Sequence, residues 1–152
     1  MADANTTKKE FTPVTYDPQY ILMGNELKKH FPIKSGMVAR TIGHVKAVDG
    51  VTFNLRRGTT MGLVGESGCG KTTTGRTILR LSGEKTGGQV LFNGKEVYDL
   101  SNKEMRAMRT KMQIIFQDPF SSLSPRLPVG EIIGEAVREH GLASKGEFDD
   151  YI

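Results

Sequence analysis

The sequence has few of the residues that disulfide frameworks, zinc sites and aromatic binding faces require. It contains one cysteine, no tryptophan and 7% aromatic residues in 152 positions. A single cysteine excludes an intramolecular disulfide and a zinc site built from cysteines, and it favours a reducing compartment. The histidines His30, His44 and His140 lack the spacing of metal ligands. Long apolar runs are also missing, both at the N-terminus, where a secretory signal would carry one, and elsewhere, where a membrane-spanning helix needs about 20 apolar residues.

What the sequence does contain is enough apolar residues for one globular domain, and many glycines. Hydrophobic residues make up 37% and charged residues 25% of the chain, which is typical of a folded protein. Glycine occurs 18 times, which favours a function that depends on backbone loops. The 21 basic and 17 acidic side chains give a net charge of +4. This mild excess suits anionic ligands but is weak evidence for nucleic-acid binding.

Apolar segments alternate with turn residues in an order typical of an α/β fold. After a polar lead-in, we expect strands at residues 21–31 (closed by Pro32), 45–55 (with a turn or bulge at Asp49-Gly50), 59–64, 89–92, 95–98 and 112–116. A solvent-facing loop is predicted over residues 34–44, and helices over 71–81, from a Ser101/Glu104 capping box to about 109, and over 129–140. The order predicts an antiparallel N-terminal part and a partly parallel sheet.

The strongest motif is GESGCGKT at residues 65–72, which matches the pattern G-x-x-x-x-G-K-[ST] between a predicted strand and a predicted helix. A triphosphate needs several backbone N–H groups that point inward from a tight loop. Gly65, Gly68 and Gly70 provide the backbone freedom for such a loop. The motif therefore predicts a phosphate-binding loop.

The residues that follow these glycines predict how the phosphates are held. Lys71 would place its charge on the β- and γ-phosphates, Thr72 would ligate Mg²⁺, and Thr73 would donate to the α-phosphate from the first helical turn. Within the same loop, Cys69 lies beside the lysine at a helix N-terminus. Because no base is identifiable for it, we interpret it as a small loop residue whose alkylation would block nucleotide entry. The candidate nucleotide-binding residues are Gly65, Glu66, Ser67, Gly68, Cys69, Gly70, Lys71, Thr72 and Thr73.

Together with this loop, the segment MQIIFQDPFSSLSPR resembles ATP-binding-cassette (ABC) ATPases. Within that family, LKKHFPIKSG, HVKAVDGVTFNL and QDPFSSL resemble the ATP-binding subunits of bacterial oligopeptide and dipeptide importers. The resemblance extends from about Tyr20 to about Leu142. One departure is Ser124, which stands where these importers usually have asparagine before Pro-Arg.

The resemblance implies roles for two further residues. Gln117 would be the family's glutamine that touches Mg²⁺ and the attacking water, so that Lys71 and Gln117 are the catalytic candidates and Thr72 and Gln117 the metal candidates. A polar residue that leaves a buried strand would also lie at the carboxyl edge of the sheet, where ligands bind in α/β folds. Phe31 aligns with the aromatic residue that stacks on adenine. An aromatic residue that ends a strand also fits a core position, so the sequence leaves both interpretations open.

The resemblance also predicts organisation and function. The polar N-terminal sequence predicts a flexible lead over residues 1–19. The resemblance implies a partial P-loop core over 20–116, and the glutamine loop with the start of a helical subdomain over 117–152. ATP and Mg²⁺ would be the ligands, and membrane permease subunits and a second ATP-binding subunit the partners, on the cytoplasmic face of the cell membrane. The family's signature sequence, acidic strand end and switch histidine belong further along such chains than these 152 residues reach. We therefore expect an ABC importer ATPase whose isolated 152 residues bind Mg·ATP without hydrolysing it.

A nucleic-acid interface is the alternative from another functional class. Lys103, Arg106, Arg109 and Lys111 could form a phosphate-binding face, since helical spacing brings some of them together. A solvated helix face is the usual explanation of such a pattern, so we expect no nucleic-acid partner. Salt-dependent DNA binding without an effect of ATP would support the alternative.

Overall fold

The structure is a computed structural model that describes residues 12–36, 40–118, 123–144 and 146–152. The chain forms two compact units, the first ending at Leu100 and the second beginning at Ser101. The predicted functional divisions at residues 19 and 116 remain predictions, and residues 1–11 of the predicted lead lie outside the described residues. No helix in the described ranges is both long enough and apolar enough to cross a membrane.

The first unit is built on a four-stranded sheet in which every pairing is antiparallel. The strands are β1 (Tyr20–Ser35), β2 (Arg40–Arg56), β3 (Gly87–Phe92) and β4 (Lys95–Glu96), and their order in the sheet is β2-β1-β3-β4. Apolar side chains from these strands and from the segment after β4 form the core, among them Leu27, Val48, Val90 and Val97. Burial of these side chains is what holds the sheet together.

Two local turn predictions are confirmed in this sheet. Val51 pairs with Leu27 and Asp49 with Lys28, which leaves Gly50 as an extra residue at φ +85 and forms a β-bulge. The Asn93-Gly94 turn joins β3 to β4 with both residues at positive φ, as a two-residue hairpin of this sequence requires.

The first hairpin is longer than the sequence predicts. β1 continues through Pro32 to Ser35, and β2 begins at Arg40, so most of the expected loop over residues 34–44 is strand. Residues 37–39 of that loop lie outside the described residues. Beyond Lys28, β1 pairs with β2 alone, and a proline is tolerated in a strand where one side has no partner.

Among the described residues, one helix belongs to the first unit and three belong to the second. Helix α1 (Lys71–Ile78) confirms the helix predicted after the glycine-rich loop but ends three residues earlier. The others are α2 (Asn102–Arg109), α3 (Val129–His140) and α4 (Phe148–Tyr151). The capping box of α2 is present, since the Glu104 amide donates to the Ser101 hydroxyl and the Ser101 amide donates to the Glu104 carboxylate. The bounds of α3 agree with the prediction, whereas α4 was not predicted.

Two predicted strands do not form. Residues 59–64 and 112–116 are irregular. Met112 is buried, but the other apolar residues of the two segments are exposed, with Val64 at 90% and Ile115 at 95% of full exposure. An apolar segment becomes a strand only when a neighbouring strand takes its backbone hydrogen bonds and its faces are covered. No strand of the described residues pairs with either segment, so the expected parallel part of the sheet is not formed.

Candidate nucleotide-binding site

The glycine-rich loop is fitted closely against β2 at Gly70. This residue caps the N-terminus of α1 with φ +95, in the left-handed region that glycine adopts without strain. A Cβ atom at Gly70 would lie 2.3 Å from the carbonyl oxygen of Ala47, which is too close for any side chain. Glycine is therefore required here for two reasons, and it sets the distance between the loop and the sheet.

Ala47 belongs to the site, although sequence reasoning did not identify this residue. The register of β1 and β2 passes from Val48 opposite Lys29 to Lys46 opposite His30, so that Ala47 is an extra residue in its strand. Its carbonyl oxygen is the atom nearest to the Cβ position of Gly70. No sequence signal marks Ala47, because its importance comes from a backbone atom and from the register of two distant segments.

The ammonium group of Lys71 lies inside the loop. Its Nζ donates to the carbonyl oxygens of Gly65 at 2.7 Å and Glu66 at 2.6 Å, and lies 3.5 Å from the sulfur of Cys69. A Cβ atom at Gly65 would lie 2.7 Å from the same sulfur, so the loop closes tightly around this group. The loop thus places the positive charge of Lys71 at the N-terminus of α1, where the helix dipole is also positive.

The first turn of α1 supplies amide donors for an anion. In an α-helix the first N–H groups have no partner within the helix, and here the N-cap has no side-chain hydrogen bond. Thr74 is the first residue whose amide is used, since it donates to the carbonyl of Gly70 at 2.8 Å. The side chain of Thr72 is exposed at this end and that of Thr73 is half-buried. This end of α1 is therefore a candidate site for a phosphate group.

Phe31 lies near the part of β2 that contacts the loop. It pairs with Val45, two residues before Ala47. The residue is 38% exposed, and the ammonium nitrogen of Lys29 lies 5.0 Å from the ring centroid. The ring is therefore partly free to meet a planar group, and its stacking role remains a prediction.

The structure does not support the geometric argument for Gln117. This residue belongs to the second unit, where it is exposed in an irregular segment that follows residues 112–116. Because those residues form no strand, Gln117 does not stand at a strand end, and its role depends on the resemblance alone. Residues 119–122 of the predicted glutamine loop lie outside the described residues.

Among the described residues, no group of three or more histidine, cysteine, aspartate or glutamate side chains could hold a metal ion. Magnesium is commonly bound by one or two protein ligands together with substrate phosphates and water. The exposed hydroxyl of Thr72 beside the phosphate-binding helix end fits this mode of binding.

A glycine-rich loop that caps a helix, with the first helical lysine held inside it, defines a P-loop nucleotide-binding fold. Residues 48–151 match the family described as ABC transporter, so the chain belongs to the ABC transporter family. Membership of this family implies nucleotide binding. The predicted fold class is confirmed.

Similar proteins confirm the resemblance to peptide importers. The chain is 47% identical over 133 residues to the oligopeptide transport ATP-binding protein AppF of Bacillus subtilis, covering 87% of this chain and 40% of that protein. It is 46% identical over 126 residues to the glutathione import ATP-binding protein GsiA of Escherichia coli, covering 83% of this chain and 20% of that protein. The solved structure of CbiO1 from Clostridium perfringens, part of the ABC transporter complex CbiONQ, is 26% identical with a TM-score of 0.51, over 81% of this chain and 51% of that one. The chain therefore spans less than half the length of the curated relatives it matches.

Proposed function

We propose that this chain binds Mg·ATP at residues 65–73 and that the whole protein couples ATP binding and hydrolysis to the uptake of oligopeptides or dipeptides. The relatives named for oligopeptide and peptide transport, at 47% to 49% identity, support this direction of transport and this class of solute. The observation that carries the proposal is the position of Lys71. Its ammonium group lies within 2.7 Å of two loop carbonyls, directly after a left-handed glycine cap.

In this proposal each candidate residue contacts a different part of Mg·ATP. Lys71 exchanges its loop carbonyls for the β- and γ-phosphate oxygens, which are stronger acceptors because they are charged. Thr72 would hold Mg²⁺, which would neutralise part of the charge on the phosphates. Thr73 donates to the α-phosphate, and Phe31 stacks on the adenine. The resemblance alone supports Gln117 as the residue that would touch Mg²⁺ and the attacking water.

Family membership supports a proposal about partners and location. Transmembrane permease subunits would contact residues 117–138, and a second ATP-binding subunit would complete the composite site. The protein would then work at the cytoplasmic face of the cell membrane. The nucleic-acid alternative receives no support from Arg106, because its guanidinium pairs with the Glu139 carboxylate at 2.6 Å and donates to the Glu139 carbonyl.

A second candidate function is ATP binding without turnover by these 152 residues. The loop supplies charge and positioning, whereas hydrolysis also needs a group that orients or deprotonates water. The resemblance assigns the catalytic glutamate, the signature sequence and the switch histidine to later parts of such chains.

Calorimetric titration with Mg·ATP, with phosphate release followed in the same samples, tests both candidates. We expect saturable binding that Lys71→Ala abolishes and that Lys95→Ala, which removes an exposed lysine of β4, leaves unchanged. Binding without phosphate release would support the second candidate, and multiple turnover would support the first. A folded chain that binds no nucleotide would contradict both.

A further inference from the structure

Helix α1 is too short and too poor in helix-forming residues to be stable by itself. Its eight residues, KTTTGRTI, include four threonines and a glycine. Threonine and glycine rank low in helix propensity, and isolated helices shorter than about 12 residues are marginal in water. The groups proposed to hold the phosphates are at its N-terminus, so tertiary contacts must hold the helix in place.

The C-terminal end of α1 has an unusual stop. The amide of Leu81 donates to the carbonyl of Arg76 at 2.8 Å, and the amide of Arg80 donates to the carbonyl of Thr77 at 3.0 Å, which together form a Schellman motif. Arg80 occupies the left-handed position of this motif, with φ +58. Glycine is the usual residue there because it avoids the strain that a Cβ atom causes. An arginine in this position calls for a compensating contact.

Residues 97–100, the segment after β4, supply that contact. The guanidinium of Arg80 donates to the carbonyl of Leu100 at 2.8 Å and to that of Val97 at 3.4 Å. From the other direction, the hydroxyl of Tyr98 donates to the carbonyl of Thr77, in the last turn of α1, at 2.7 Å. The C-terminal end of α1 is thus tied to residues 97–100 by hydrogen bonds that run both ways.

Hydrogen bonds inside α1 continue from this tie to the phosphate-binding end. Thr77, which is fully buried, donates through its hydroxyl to the carbonyl of Thr73 at 2.7 Å. One turn earlier, the Thr74 hydroxyl donates to the carbonyl of Gly70 at 3.0 Å. Because α1 has only about two turns, a shift at its last turn moves its first turn as well.

We propose that Arg80 and Tyr98 are positioning residues, which hold the C-terminal end of α1 so that Lys71, Thr72 and Thr73 are placed for the phosphates. This inference rests on the proposed function. Neither residue touches the nucleotide in the proposed site, and both act through the carbonyls and backbone of the helix.

The first test is Tyr98→Phe, which removes one hydroxyl and keeps the ring. Its matched control is Tyr16→Phe, which also removes a hydroxyl hydrogen bond in the first unit, the one accepted from Arg57, away from α1. We expect Tyr98→Phe to weaken Mg·ATP binding about five-fold, the effect of one neutral hydrogen bond. Amide exchange over α1 in the nucleotide-free chain should accelerate by a similar factor. Tyr16→Phe should change neither quantity.

The second test, Arg80→Gly, distinguishes a role of Arg80 in positioning α1 from a role in terminating the helix. Glycine suits the left-handed position, so if Arg80 serves the stop alone, Mg·ATP affinity stays unchanged and the unfolding midpoint rises. If Arg80 positions α1, affinity falls about five-fold although the backbone strain is relieved. Unchanged exchange over α1 in both variants would overturn the inference. If the wild-type chain binds no nucleotide, the proposed function fails, whereas the exchange measurements still show whether these residues hold α1.

Discussion

Replacement of Gly70 by alanine is the most direct test of how the loop is fitted to the sheet. Two costs add at this position. Alanine in the left-handed backbone conformation lowers the free energy of unfolding by about 1–2 kcal/mol relative to glycine. The Cβ atom, 2.3 Å from the Ala47 carbonyl oxygen, forces the loop away from β2, at about 1–3 kcal/mol for overpacking. We therefore expect Gly70→Ala to lower the free energy of unfolding by about 2–5 kcal/mol and to abolish Mg·ATP binding, since Lys71 follows directly.

Two glycine controls separate these costs. Gly58 and Gly68 also have positive φ, at +69 and +82, but neither has an atom within 4 Å of its Cβ position. Alanine at either should show the backbone strain alone, about 1–2 kcal/mol. Denaturant unfolding and calorimetry on the three variants give the comparison. The reasoning is refuted if Gly70→Ala costs no more than Gly58→Ala, or if it binds Mg·ATP with wild-type affinity.

Three further predictions concern single side chains. Cys69 is exposed in the loop. Iodoacetamide should therefore abolish Mg·ATP binding to the wild-type chain but should not change Mg·ATP binding to Cys69→Ala. Retained binding after complete alkylation of the wild-type chain would contradict this prediction. Burial raises the pKa of Tyr98 to about 12, which favours the neutral form in the folded chain. The contribution of Tyr98 to the free energy of unfolding is therefore complete below pH 10 and is lost as the pH rises from 10 to 12. Tyrosinate absorbance should show a last titration step that is missing in Tyr98→Phe, and a wild-type chain without that step would refute the assignment. Ser101→Ala should lower the free energy of unfolding by about 1 kcal/mol, because it removes the cap of α2. Ser144→Ala, outside that helix, should leave the exchange of the α2 amides unchanged, and equal exchange in both variants would exclude a capping role.

Features that depend on a few neighbouring residues could be predicted from the sequence. The Asn93-Gly94 turn, the Ser101/Glu104 box and the bulge at Gly50 follow from backbone preferences and hydrogen bonds within a few positions. The nucleotide loop belongs to the same group, because its glycines, lysine and threonines are contiguous and their chemistry is local. For this reason the family and the candidate phosphate site could be inferred before any coordinates.

Features that depend on distant partners could not be predicted in this way. Residues 59–64 and 112–116 are apolar enough to be strands, yet a strand forms only where another supplies its hydrogen bonds. The contact of Gly70 with Ala47, and the tie of Arg80 and Tyr98 to the last turn of α1 and the segment that follows β4, join segments far apart in the chain. The amino-acid sequence alone thus predicts the phosphate-binding chemistry. The position of the predicted residues against the sheet depends instead on register and packing, which arise only when distant segments meet.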